Sequence, residues 1–144
     1  MKAGPHRTPG LTPAATGRAR RIGLAVVFVW FFLGGLAHFI ATDTEVRIVP
    51  PYIPYPRAVV LVSGVLELLG AAGLTLRATR RAAGSGLFAL TIAVTPAHVY
   101  MLQQPELFGV PYWALVLRLP LQAALLALIV WSAMLPIQHG ARKK

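Results

Sequence analysis

The sequence predicts an all-α protein: an integral membrane bundle of four helices with both termini in the cytoplasm. Hydrophobic residues make up 56% of the 144 residues and charged residues only 12%, whereas a soluble domain carries about 25% charged residues. Four apolar windows are each long enough to cross a bilayer, which takes roughly 20 residues. Basic residues are concentrated on one side of these windows. Four spans with short connections leave no room for a separate soluble domain.

The four predicted spans form one transmembrane domain over residues 22–136. The first apolar run follows arginines, as the core of a signal peptide does, but it is too long and lacks a small-residue cleavage site, so we expect it to be retained. Residues 1–21 are rich in Pro, Gly, Thr and Arg and are predicted to form a disordered basic tail. Residues 137–144 form a second basic tail. The spans are placed at Ile22–Thr42, Ala58–Leu76, Ala82–Leu102 and Tyr112–Met134.

The distribution of charge predicts the orientation of the bundle. Eleven Lys and Arg residues lie before the first span, between the second and third, or after the fourth, while the other two connections hold only Arg47 and Arg57. Because positively charged segments stay cytoplasmic, both termini are expected on the cytoplasmic side of the membrane. The net charge of +10 is assigned to this topology and to anionic lipid head groups. Nucleic acid is not an expected partner, since no aromatic residues alternate with the basic ones.

The connections between the spans carry their own signals. Four prolines in the seven residues Pro50–Pro56 of the 43–57 connection prohibit a regular helix there and favour extended polyproline geometry. Tyrosines near the outer face commonly form an interfacial belt; alternatively, Tyr52 and Tyr55 are candidates for a lid over a ligand entrance. The short Arg77–Arg81 turn predicts that the second and third spans are antiparallel neighbours.

Each predicted span carries one strongly polar or ionisable side chain. Such groups are costly at membrane depth and usually mark a functional site or a polar contact between helices. Small residues stand one turn before and one turn after His38 and Glu67, the polar groups of the first two spans. Small residues mark the face where membrane helices pack closely. Helical side chains lean toward their own N-terminus, which brings all four groups toward the outer half of the bundle. The residues are His38, Glu67, His98 and Arg118, with Gln122 one turn beyond Arg118.

Two prolines inside the spans add hydrogen-bond acceptors in the same region. Proline has no N–H group, so Pro96 and Pro120 each free a backbone carbonyl about one turn earlier, near Ile92 and Val116. In a membrane, a freed carbonyl needs a partner or a water-lined cavity. The prolines are alternatively explained by a role in shaping the helices alone.

Several roles for the polar residues stay open at this level. One is a structural clasp, in which Glu67 and Arg118 form an ion pair and the histidines add hydrogen bonds. Another is a quinone site: quinone carbonyls need donors such as His or Arg, and Glu67 is the candidate proton carrier. Haem between two histidines is disfavoured, because the pair has no independent signature. No ligand-spacing motif supports a metal site, and cysteine is absent.

Six segments form a recognisable series along the sequence: Gly35–Phe39, Pro50–Pro56, Ser63–Gly70, Thr79–Ala83, Pro96–Met101 and Leu117–Gln122. In these segments the sequence resembles the DoxX-like family of small four-helix bacterial membrane proteins, and the resemblance runs from about Gly23 to Trp131. The family pattern usually has Asn at the position of His98, which weakens a ligand role for this histidine and argues further against haem. Founding members look like subunits of a quinone-linked thiosulfate oxidoreductase or terminal oxidase, and other relatives are linked with redox complexes.

Together, the residues and the resemblance predict a redox-associated subunit or accessory protein of the bacterial plasma (inner) membrane that binds quinone in the outer half of the bundle. The resemblance does not make the chain an enzyme by itself. The expected partners are the lipid bilayer and either a protein of a redox complex or a second copy of this chain. The alternatives are a non-catalytic membrane scaffold, whose polar residues only clasp the helices, and a small proton-coupled transporter, which the absence of an internal repeat disfavours.

Overall fold

The computed structural model of the protein describes residues 13–135, with side chains from Gly17 onward. All regular structure in this part of the chain is helical, as predicted. It comprises six α-helices, a 3₁₀ turn and a π-helix. The α-helices are α1 (Pro13–Ile40), α2 (Thr42–Arg47), α3 (Pro56–Thr75), α4 (Arg80–Ala93), α5 (Thr95–Gln103) and α6 (Tyr112–Ile129), with the 3₁₀ turn at Pro105–Leu107 and the π-helix at Val130–Met134.

Four helical stretches are long and apolar enough to cross a membrane. The third stretch combines α4 with α5, and the fourth combines α6 with the π-helix that continues it. The predicted number of membrane-length helices is therefore confirmed. The stretches are Gly17–Ile40, Pro56–Thr75, Arg80–Gln103 and Tyr112–Met134.

The N-terminal boundary differs from the prediction. Helix α1 begins at Pro13, so Pro13–Arg21 is helical rather than part of a disordered tail. Alanine and arginine are strong helix formers, and proline is well tolerated in the first turn of a helix. Residues 1–12 and the predicted tail at 137–144 lie outside the described residues.

One end of the bundle, which we call the termini end, contains the start of α1, the α3–α4 connection and the end of the π-helix. Arg20 Nε of α1 donates a hydrogen bond to the Ser132 carbonyl of the π-helix at 2.8 Å. Helix α4 packs against the π-helix as well, and a Cβ atom on Gly84 would lie 2.8 Å from Ala133 Cβ. The buried apolar core lies in this half of the bundle and consists of Val27, Phe31, Ala71, Leu74, Leu87, Ile129 and Ala133.

Helices α3 and α4 are antiparallel neighbours, as the short connection predicted. The turn is held by side chains that bind the last carbonyls of α3. Thr79 Oγ1 donates to the Gly73 carbonyl at 2.8 Å, and Arg80 Nε donates to the Leu74 carbonyl at 3.0 Å. These bonds satisfy carbonyls that a helix end leaves without intrahelical partners.

The opposite end, which we call the loop end, holds α2 and the proline-rich segment. This segment is not extended as predicted: the Ile53 N–H donates to the Pro50 carbonyl at 3.0 Å and closes a turn. Tyr55 then adopts a left-handed conformation with φ of 54° before Pro56 begins α3. The end of α1 and the start of α3 lie close together, because these helices pack side by side. A turn spans this short distance, whereas a fully extended segment would be too long for it.

Candidate functional site

Helices α1 and α3 approach each other closely at two glycines, Gly35 and Gly64. A Cβ atom on Gly64 of α3 would lie 2.7 Å from His38 Cβ and 3.1 Å from the Gly35 carbonyl oxygen of α1. A Cβ atom on Gly35 would lie 3.0 Å from the Gly64 carbonyl oxygen. The backbones are thus nearly in contact, which only residues without a side chain allow. The prediction that small residues mark the packed face of these two helices is confirmed.

This close approach brings His38 and Glu67 together. His38 Nε2 lies 3.6 Å from Glu67 Oε1, and the two side chains are only 16% and 13% exposed. The separation is longer than a good hydrogen bond, so the contact is mainly electrostatic. The second carboxyl oxygen, Oε2, lies over Gly34, where an added Cβ would be 2.7 Å away. Both Glu67 Oε2 and His38 Nδ1 are buried without a hydrogen-bond partner in the described structure.

A second polar cluster joins α6 to the α4–α5 region through Gln122. The Gln122 amide nitrogen donates to the Thr91 carbonyl at 2.7 Å and to Thr95 Oγ1 at 2.7 Å, while its oxygen lies 2.6 Å from His98 Nδ1. The carbonyl of Thr91 can only accept, so the amide nitrogen must face it. The amide oxygen then faces His98, whose Nδ1–H donates. This assignment leaves Nε2 of a neutral His98 as an acceptor.

The break before Pro96 creates the position that Gln122 fills. Helix α4 ends at Ala93, and α5 begins at Thr95 with Pro96 in its first turn. The carbonyl that receives a side-chain donor is that of Thr91, next to the Ile92 that the sequence indicated. The difference arises because the interruption includes Val94 as well as the proline, which moves the affected turn toward the start of α4.

Arg118 lies apart from Glu67. The residue as a whole is exposed, and its Nη1 donates to Met101 Sδ, a weak acceptor, at 3.3 Å in a partly buried contact. The predicted ion pair between Glu67 and Arg118 is wrong: Glu67 is turned toward α1, whereas Arg118 stands one turn from Gln122 on the side of α6 that meets α5.

Three of the four ionisable residues therefore divide between two clusters, and Arg118 belongs to neither. His38 and Glu67 lie between α1 and α3, and His98 lies with Gln122 between α5 and α6. His38 stands in the last turn of α1, just before α2, and His98 lies in α5, which leads into the 3₁₀ turn. Both clusters thus lie toward the loop end of the bundle, away from the apolar core.

An open groove of about 650 Å³ runs along α5 and adjoins the second cluster. Tyr52, one of the two lid candidates, reaches it from the turn after α2 and is 73% exposed, whereas Tyr55 is 81% exposed and does not line it. The sequence interpretation did not identify Thr91 and Thr95 as functional partners, although their spacing with His98 forms a polar stripe on one helical face. The groove is lined by Tyr52, Ile92, Thr95, Pro96, Val99, Tyr100 and Gln103.

Comparison with known proteins gives a family without an assigned function. No curated protein and no solved structure shows significant similarity to the chain. Residues 18–135, which contain both polar clusters and the groove, match a family described as a domain of unknown function (DUF8561). The match covers most of the chain, and the protein therefore belongs to the DUF8561 family.

Proposed function

We propose that the protein is a multi-pass subunit or accessory protein of the bacterial plasma membrane that works with a quinone-linked redox complex. In this proposal, the His38–Glu67 pair accepts a proton when the complex oxidises a quinol and supplies a proton when the complex reduces a quinone. The DoxX-like sequence resemblance supports the redox association. The observation that carries the proposal is the buried Glu67 carboxyl group, which has one oxygen beside His38 and the other without a hydrogen-bond partner.

An unpaired carboxylate oxygen is costly to bury, and in this proposal the unpaired Oε2 atom of Glu67 is the atom that accepts the proton. A proton on either group lets His38 and Glu67 form a hydrogen bond once a small side-chain movement closes the present separation of 3.6 Å. Removal of the proton leaves Glu67 Oε2 against Gly34 without a donor. The pair can therefore change its protonation by small side-chain movements, because the glycine-lined helix contact holds both backbones in place.

The proposed orientation places the termini end in the cytoplasm. In the described residues, this end carries the exposed arginines Arg18, Arg21, Arg77 and Arg81, whereas the acidic side chains of α2 and of the 3₁₀ turn lie at the loop end. Such an asymmetry directs basic segments to the cytoplasmic side. A cytoplasmic reporter fused to the C-terminus should be active and a periplasmic reporter silent; the reverse pattern would contradict the orientation.

Purification from native membranes tests the association. We expect mild-detergent preparations to contain quinone and subunits of a membrane redox complex, identified by mass spectrometry of lipids and proteins. A folded preparation that repeatedly contains neither would overturn the proposal.

Substitution of Glu67 tests the proton role. Glu67→Gln preserves the shape of the side chain but cannot lose a proton, so binding of a quinol analogue should lose its pH dependence while the bundle stays folded. The matched control is Glu106→Gln, which changes an exposed carboxyl group in the 3₁₀ turn. Equal pH dependence in the wild type and in both variants would exclude Glu67 as the proton carrier.

A structural clasp is the second candidate, because the His38–Glu67 contact coincides with the closest approach of α1 and α3. Buried ion pairs are retained in some proteins for specific packing rather than for chemistry. If the pair is only a clasp, Glu67→Gln should lower the melting temperature in detergent, and no quinone should co-purify. A melting temperature close to that of the wild type would argue against the clasp.

A further inference from the structure

The groove along α5 has the size and wall chemistry of a site for a neutral amphipathic ligand. Its volume of about 650 Å³ lies within the range of roughly 300–1,000 Å³ that is usual for small-molecule sites. Ile92, Pro96 and Val99 provide apolar walls, while Thr95 and Gln103 provide polar groups. Ile92 and Val99 are also exposed on the surface of the helix. An apolar tail attached to a bound ring can therefore leave the groove directly into the surrounding lipid.

Charge distinguishes between the neutral ligands and the charged lipids that a membrane offers. None of the seven residues that line the groove carries a charged side chain. A phospholipid phosphate would enter without a cation to pair with, and anions that lose their hydration need such partners. The groove therefore favours a ligand whose polar groups are uncharged acceptors, such as the carbonyl oxygens of a quinone ring.

The Thr95 hydroxyl group is a hydrogen-bond donor that suits an uncharged acceptor of this kind. Its Oγ1 atom accepts a hydrogen bond from Gln122 Nε2 at 2.7 Å, whereas its own contact to the Thr91 carbonyl is long, at 3.4 Å. That carbonyl already accepts the Gln122 amide at 2.7 Å. The hydroxyl hydrogen of Thr95 is thus weakly engaged, and the bond from Gln122 polarises the hydroxyl group and strengthens it as a donor.

Two tyrosines from different segments flank the same space. Tyr100 on α5 packs edge-to-face against Phe108, with ring centroids 5.9 Å apart, and this contact restrains its ring. Tyr52 reaches the groove from the turn at Pro50–Ile53 and is largely exposed, so its ring can close over a flat ligand. Aromatic rings favour stacked or edge-on contact with other flat π-systems.

From these contacts we infer that the groove between Tyr52 and α5 binds the ring of an isoprenoid quinone, with the Thr95 hydroxyl donating to a ring carbonyl. The Gln122 amide, oriented by Thr91 and His98, acts as a positioning residue for Thr95. This inference rests on the proposed function, because it assigns the ligand site of the same protein. It differs from the sequence prediction, which placed the ligand among all four ionisable residues.

Binding of short-chain benzoquinone and naphthoquinone analogues to the protein in lipid nanodiscs tests the site. Thr95→Val removes the hydroxyl at nearly constant volume and should weaken binding by about 2- to 10-fold, the equivalent of one hydrogen bond. Thr95→Ser should restore most of the loss. The matched control is Thr75→Val, because the Thr75 hydroxyl bonds only to its own helix, at the Ala72 carbonyl, near the termini end.

The tyrosines give a second, independent comparison. Tyr52→Ala should weaken binding of the analogues, whereas Tyr55→Ala should leave it unchanged, because only Tyr52 lines the groove. If Thr95→Val and Tyr52→Ala both bind as tightly as the wild type, the groove is not the site. If the folded protein binds neither analogue and the groove holds only phospholipid or detergent, the assignment is likewise overturned.

The same measurements separate this inference from the proposed proton role. Glu67 lies between α1 and α3 and does not line the groove, so Glu67→Gln should leave the affinity for an oxidised quinone analogue unchanged. Loss of affinity in Thr95→Val together with normal pH dependence in Glu67→Gln would support the groove and reject the proton carrier. Loss of pH dependence in Glu67→Gln with full affinity in Thr95→Val would reject the groove alone.

Discussion

Gly64 of α3 lies directly against His38 of α1, and a Cβ atom added to the glycine would stand 2.7 Å from the histidine Cβ. Real Cβ atoms essentially never come so close to another atom, so no side chain fits at Gly64 without separating the helices. Gly64 also stands one turn before Glu67 on the same face of α3. The glycine contact therefore sets the distance between the imidazole and the carboxyl group.

Gly64→Ala should destabilise the protein by about 1–3 kcal/mol, the usual cost of overpacking a tight contact. Alanine is otherwise the better helix former by about 1 kcal/mol. A loss of stability in Gly64→Ala would therefore come from the tight contact between the helices and not from helix propensity. Gly86→Ala is the matched control, because a Cβ atom at Gly86 meets nothing within 4 Å. Thermal unfolding in detergent should show a lower midpoint for the first variant and an unchanged or higher one for the second. A raised midpoint in Gly64→Ala would contradict the close approach.

The α1–α3 contact was predictable from the sequence for a simple reason. Gly34 and Gly35 stand one helical turn before His38, and Ser63 and Gly64 stand one helical turn before Glu67. Close approach of two helices requires small residues in a fixed register, and that register is visible in the sequence. The faces on which His38 and Glu67 lie could therefore be identified without coordinates.

The partners of His98 and Arg118 could not be predicted in the same way. Their neighbours are larger, and each residue added or lost at a helix break rotates the following side chains by about 100° around the axis, from 3.6 residues per turn. The break at Val94 before Pro96 sets the rotation of α5 and places His98 against Gln122. The sequence shows that a proline interrupts the helix, but not how many residues the interruption includes.

Gly34→Ala should alter the His38–Glu67 pair with little loss of stability. The added Cβ would meet Glu67 Oε2 at 2.7 Å, and the end of a flexible side chain can move away where a backbone atom cannot. We expect a stability change of less than about 1 kcal/mol, since exposed or adaptable sites usually tolerate substitution. The ¹⁵N NMR signals of the His38 imidazole should shift relative to the wild type. Gly86→Ala should leave them unchanged, and unchanged signals in both variants would contradict the position of the Glu67 carboxyl group.

Gln122→Leu should destabilise the bundle by about 1–3 kcal/mol, because it leaves polar groups of buried or half-buried residues without their partner. The Thr91 carbonyl and the His98 Nδ1–H lose their short hydrogen bonds to the amide. Gln103→Leu changes an exposed amide and should have a much smaller effect. Chemical or thermal unfolding measures both.

The cluster can also be tested by combining substitutions. His98→Leu and Gln122→Leu remove the two ends of one hydrogen bond of 2.6 Å, so the double variant should lose less stability than the two single variants combined. Residues in one hydrogen-bond network show such coupling, typically about 0.5–3 kcal/mol. Strict additivity would mean that the two side chains do not interact in the folded protein.

Arg20 joins the first and last membrane-length helices at the termini end, and its removal should loosen the end of the bundle. Nε donates to the Ser132 carbonyl at 2.8 Å, and Nη2 donates to the Leu135 carbonyl. A guanidinium group beside the C-terminal end of a helix also opposes the negative end of the helix dipole. Arg20→Gln should therefore cost about 1.5–3 kcal/mol, the range for hydrogen bonds to charged groups, and increase proteolysis around residues 130–135. Arg20→Lys should show a smaller effect, because the charge stays but the two-pronged donor is lost.

The control is Arg21→Gln, at an exposed neighbouring position, which should behave as the wild type in both assays. Equal losses of stability in Arg20→Gln and Arg21→Gln would mean that net charge, rather than the contact with the last helix, stabilises this end of the bundle.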